Sequence, residues 1–119
     1  MRHDTMVTEE VRRILRECKG KPATGAALAV VVEDRLRKAV PGLRWYTCSL
    51  RRIGESVAAL IEQGWPIASD SRRGYWLATK PEDLEASLAE ATKRARATLR
   101  RRRLLRTQIR ELRGQMRMP

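Results

Sequence analysis

The chain contains no phenylalanine, a single histidine, two cysteines and an aromatic content of 4%. Each scarcity removes a class of function. Three tryptophans and two tyrosines are too few for a platform on which successive bases stack. With one His and two Cys, thirty positions apart at Cys18 and Cys48, the chain cannot supply a four-ligand zinc site. The pair is expected to remain free thiols, and no cofactor is implied. His3 lies at a terminus where fraying is common and is poor support for catalysis. No nucleophile motif, phosphate-cradling loop or metal-ligand spacing occurs, so no enzyme is expected. No apolar run is long enough to cross a membrane, and MRHDTMVTEE lacks the apolar core of a signal peptide. The expected location is cytoplasmic, with no membrane partner and no small-molecule substrate.

What is abundant is positive charge. Among 119 residues, 26 are Lys or Arg and 14 are Asp or Glu, a net charge of +12. The length holds one ordinary domain and an extension. The charge points to a polyanionic partner or an acidic lipid surface, the latter ranked last because arginines occupy every face of the turn at 100–103.

The most informative stretch runs from Ser49 to Ala78. In SLRRIGESVAALIEQG, Leu50, Ile53, Val57, Leu60 and Ile61 form one apolar stripe, and Arg51, Arg52, Glu55, Ser56, Ala59 and Gln63 occupy the other face. Ser49 caps the helix start, Gly64 ends it and Pro66 forbids its resumption. Two short strand-forming runs follow, Trp65 to Ser69 and Tyr75 to Ala78, around a loop at 70–74 that carries Arg72 and Arg73. This order of capped helix, re-entry WPIAS and closure RRGYWLA resembles the winged helix-turn-helix family. The likeness is greatest to the small domain at the front of biotin repressor-ligases and to phage and bacterial regulators, and it covers about 30 residues.

Ahead of this stretch, TEEVRRILREC predicts a helix over 8–18 with Thr8 as its cap, and Thr24 caps a second helix to about Ala39, closed by Pro41 and Gly42. Its front half, AALAVVV, is apolar all round, so periodicity leaves a buried strand open there, while length and EDRLRKAV favour helix. Between the second and third helices, LRWYTC is too long for a compact turn. Two placements are open: a short strand pairing with the hairpin, or a turn that packs Trp45 into the core. From Thr79, a capping-box pattern with Glu82 and a first-turn Pro81 predict one helix of roughly 33 residues, about 50 Å at 1.5 Å per residue. Steps of four and three run through it along Leu84, Leu88, Ala91, Ala95, Thr98, Arg102, Leu105, Ile109, Leu112 and Met116. With so many like charges the helix needs a partner, and a homodimer through this helix is the expectation.

The fold class is therefore mostly α with a small β-hairpin wing, a winged helix-turn-helix at 1–78 followed by one long basic C-terminal helix at 79–119. The resemblance implies a bacterial or phage transcriptional regulator that reads double-stranded DNA with helix 49–63 and the basic wing 70–74. The expected DNA-binding residues are Arg51, Arg52, Ser56, Arg72 and Arg73, joined by Arg100, Arg101 and Arg103 of the tail. Two rivals stand beside it: a protein adaptor, and a nucleic-acid-coating or assembly protein without sequence preference.

Overall fold

A computed structural model describes residues 3–117, with side chains at 4–115. The expected seam residue Met116 and the sole histidine, His3, have side chains outside that range. The fold is mostly helical with one two-stranded antiparallel hairpin and a long last helix. Its elements are α1 (His3–Glu17), α2 (Gly25–Ala39), a 3-10 turn (Pro41–Leu43), α3 (Leu50–Glu62), β1 (Ile67–Asp70), β2 (Gly74–Leu77) and α4 (Pro81–Arg117).

α1 begins five residues before the expected cap. Thr8 lies inside it and donates to the Asp4 carbonyl at 2.9 Å. The reason is Val7, which extends the buried stripe of Val11, Ile14 and Leu15 back by one turn, so burial rather than capping sets the start. Thr24 caps α2 as expected, accepting from Ala27 N at 3.1 Å. AALAVVV is helical, with Leu28, Ala29 and Val32 buried and Val30 exposed. α3 is capped by the Ser49 hydroxyl, which accepts from Arg52 N at 3.1 Å. It buries Ile53, Val57 and Leu60 against α1 and α2.

Neither expected placement of LRWYTC is found. After the 3-10 turn the segment forms no strand, and Leu43 and Cys48 turn inward while Trp45 is 81% exposed. Two α2 side chains hold its backbone: Arg37 Nε donates to the Tyr46 carbonyl at 2.7 Å, and Glu33 Oε1 accepts from Cys48 N at 2.6 Å. The segment thus finds the hydrogen bonds that a strand would have supplied. The hairpin's third member comes from elsewhere. Ala23 forms an isolated antiparallel bridge to Tyr75, with N–H···O distances of 2.8 and 2.9 Å.

The hairpin pairs Ile67 with Leu77, Ala68 with Trp76, Ser69 with Tyr75 and Asp70 with Gly74. Ile67 is buried on one face of the hairpin and Ala68, opposite buried Trp76, on the other, so both faces are covered at this end. On the outer side of β1, Ser69 N donates to the Ser87 hydroxyl at 3.0 Å. This contact carries the first compact unit past Thr79 to Ser87, and the second unit begins at Leu88. At the start of α4 it is Asp83, not Glu82, that accepts from Thr79 N, at 3.3 Å. Gly114 does not end α4, because a lone glycine weakens a helix by about 1 kcal/mol without stopping it.

Candidate nucleic-acid interface

α3 presents Arg51, with a side chain 89% exposed, and the half-buried Arg52. Both are tied to one carboxylate. Glu55 Oε1 accepts from Arg51 Nε at 3.1 Å, and Glu55 Oε2 lies 3.2 Å from an Arg52 terminal nitrogen that also meets Asp4 of α1 at 2.9 Å. Such pairs at the surface contribute roughly 0–1 kcal/mol, so a phosphate or guanine competes with them readily. Glu55 four residues after Arg51 was the signal for this neutralisation in the sequence.

Ser56 departs from expectation. It is 3% exposed, and its hydroxyl is hydrogen-bonded to Thr8 at 3.2 Å, in the contact between α1 and α3. It has no access to DNA. The seam of α3 is wider than apolar residues alone suggest, because a small hydroxyl with a partner on α1 fits it without penalty.

At the hairpin tip Asp70 organises the turn. Its Oδ1 accepts from the backbone nitrogens of Arg72, at 2.9 Å, and Arg73, while Oδ2 accepts from Arg73 Nε at 2.6 Å. The Arg73 guanidinium also lies over the Trp76 ring, 4.7 Å from its centroid. Arg73 is therefore oriented by the fold. Arg72 is exposed and makes no ion pair among the described residues. Gly74 lets the strand leave the turn at φ +96°, where a Cβ would stand 2.3 Å from the Ala23 carbonyl oxygen.

The second unit carries most of the charge. From Leu88 onward the sequence has eleven Lys or Arg against two acids, a net +9, whereas residues 1–87 have fifteen against twelve, a net +3. Assigning heptad positions from Leu88 as a, residues Lys93, Arg96, Arg100, Arg103 and Arg110 all fall at b or f, the side of the helix opposite the seam. Their Cα atoms span about 26 Å of helix at 1.5 Å per residue. Arg100 and Arg103 belong to this stripe. Arg101 does not, because it flanks the seam at g. Every described side chain from Leu88 on is exposed.

Beyond the expected residues, the exposed apolar side chains Val30, Trp45, Leu50 and Ile61 stand out on the first unit. The sequence gives little warning of Trp45, since a tryptophan in an apolar segment is ordinarily buried. Burial raises the Cys48 thiol above its usual range, so it stays protonated near neutrality. Among the described residues no group of three or more His, Cys, Asp or Glu is placed to hold a metal ion, and no helix is long and apolar enough to cross a membrane. Comparison with family models, curated proteins and solved structures finds no match to this chain.

Three carboxylates are held below their ordinary pKa: Asp70 by the Arg73 backbone N–H and then its side chain, Glu9 by Arg12, and Glu17 by Arg35. In each case the unfolded chain binds the proton more tightly. Stability then rises with pH through the acid range, is complete above the unfolded values of about 3.9 for Asp and 4.3 for Glu, and is lost as pH falls through the lowered folded values. Thermal denaturation should give a flat midpoint from about pH 5 to 7 and a falling one below about pH 4. Asp70→Asn should make that acid limb shallower; an unchanged limb would remove Asp70 from this account.

Proposed function

We propose that the chain binds duplex DNA as a small regulator of bacterial or phage type, in the manner of the winged helix-turn-helix domains that its sequence resembles. The observation that carries this reading is the segregation of charge: the second unit carries a stripe of five cations on α4, whereas the first unit has a net charge of only +3 but offers Arg51 and Arg72 outward. Phosphate contacts from the stripe supply affinity that is blind to sequence, through release of condensed counterions. Base reading falls to α3, whose Arg51 leaves Glu55, and Arg52 leaves Glu55 and Asp4, at little cost, and both suit the two acceptors of guanine in the major groove. Arg72 at the tip contacts backbone or a narrow minor groove, with Arg73 steadied behind it by Asp70 and Trp76.

A second reading has its own support. The outward side of α3 carries Leu50, Gly54, Ala58 and Ile61 with Glu55 and Glu62 among them, a mixed surface of the kind that protein partners use. This is the adaptor.

Selection from a random duplex library at about 150 mM salt, where screening shortens electrostatic reach to about 8 Å, separates them. The DNA reading expects an enriched motif. Arg51→Ala should relax that motif at one position, by about 1–3 kcal/mol of discrimination, whereas Arg72→Ala should weaken all sequences alike. Binding without enrichment would favour a coating role, and no binding the adaptor.

A further inference from the structure

The side of α4 opposite the cationic stripe has a composition that decides what can lie on it. From Leu88 to Leu112 the a and d positions hold Leu88, Ala91, Ala95, Thr98, Arg102, Leu105, Ile109 and Leu112. The large residues among them are uncovered, from 47% exposed at Ile109 to 67% at Leu88. Their repeat is 3.5 residues against the 3.6 of a straight helix, so the stripe drifts by about 20° per heptad. A flat membrane surface cannot follow that drift. A second helix wound left-handed around this one can.

The flanks then choose between helices. The e positions are Thr92, Leu99, Arg106 and Arg113, and the g positions are Arg94, Arg101, Gln108 and Gln115. They hold four arginines and no acid. The two acids of this stretch, Glu90 and Glu111, both sit at c, away from the flanks. A second copy of the chain in parallel register would set Arg101 against the other copy's Arg106, and Arg102 against Arg102 inside the seam. An antiparallel copy would bring e to e and g to g, again with no carboxylate available. Like charges so placed are repulsive, and complementary flanks set partner choice in paired helices.

We propose that residues 88–117 pair in a two-stranded coiled coil with an acidic helix of a different protein, which carries glutamates on both flanks of its own apolar seam and a carboxylate opposite Arg102. The pairing leaves Lys93, Arg96, Arg100, Arg103 and Arg110 facing outward. It therefore stands independently of the DNA reading, and both contacts can be made at once.

The test uses the intact chain and a synthetic four-heptad peptide with Ile at a, Leu at d, Glu at e and g, and Asp at the position facing Arg102. A scrambled peptide of identical composition is the control for charge alone. At about 150 mM salt the patterned peptide should bind with a Kd of about 10 μM or tighter and gain helical circular dichroism. The scrambled peptide, and the chain carrying Ile109→Ser and Leu112→Ser, should bind at least about tenfold more weakly, a difference of 1.4 kcal/mol. Sedimentation should show the unaltered chain monomeric at about 50 μM, and Arg101→Glu, which converts the Arg101–Arg106 clash into attraction, should shift it toward dimer. A dimer of the unaltered chain at low micromolar concentration would overturn the proposal in favour of a second copy. Equal binding of the scrambled peptide, or no binding of the patterned one, would also overturn it. None of these outcomes depends on whether DNA is bound.

Discussion

Replacing Lys93, Arg96, Arg100, Arg103 and Arg110 together with glutamine should weaken binding to any duplex by about 100-fold or more at 150 mM salt and flatten the dependence of log K on log salt by about 4. The slope is the sharper readout. Each phosphate neutralised contributes about 0.9 to it, so five contacts predict about 4.5 if all are made. The five side chains are exposed and glutamine is nearly as good a helix former as arginine, so helicity should hold while affinity falls. Loss of affinity with an unchanged slope would place the phosphate contacts elsewhere on the chain. In the proposed complex the stripe would meet backbone rather than bases, so any motif obtained by selection should survive the substitutions.

Gly74→Ala should lower the thermal midpoint of the first unit by about 8 °C or more. Two costs add there. A left-handed backbone costs a side-chain-bearing residue about 1–2 kcal/mol, and at φ +96° the new methyl would stand 2.3 Å from the Ala23 carbonyl oxygen and 2.6 Å from Thr24 Cα. Those neighbours are backbone, so relief requires breaking the Ala23–Tyr75 bridge, and forcing atoms into so close a site costs about 1–3 kcal/mol more. For a domain of this size each kcal/mol moves the midpoint by about 4–8 °C. A midpoint within about 3 °C of the parent would mean that Ala23 does not pair with β2 in solution. The same substitution should reduce DNA binding only as far as it disorders the hairpin tip.

The elements with strong local signals are legible in the amino-acid sequence. Cap chemistry and periodicity agree at Ser49 and Gly64 and mark α3 almost to the residue, although the ends of its stripe, Leu50 and Ile61, lie exposed; for α2 the Thr24 cap and the length of the segment decide, since AALAVVV is apolar all round and has no helical period. The start of α1 was not legible. Thr8 has the chemistry of a cap, but Val7 before it has a core to enter, and tertiary burial outweighs a cap of about 1 kcal/mol. LRWYTC misled in the opposite way, since its backbone is held by side chains of the preceding helix, Arg37 nine residues before Tyr46 and Glu33 fifteen before Cys48, which a local pattern does not show. At the candidate interface, periodicity correctly turned Arg51 outward. It placed Ser56 outward too, because a residue at the border of a helix face is decided by its neighbour, here Thr8. The division of the tail arginines into an outer stripe and a flanking set lay in the heptad register, which a simple count of charge along the chain hides.

The hydroxyl of Ser87 has a further consequence through its place beside β1. A two-stranded hairpin has two open sides, and a strand with unpaired N–H and C=O groups is a template for addition of another chain. Here Ala23 closes one side, at β2, and Ser87 occupies Ser69 N–H on the other. Cleavage within the segment between Thr79 and Ser87 would therefore do more than release a basic rod. It would uncover a strand edge on the remaining domain and make that domain prone to self-association by strand addition, so a shortened chain meant to stay monomeric should end beyond Ser87.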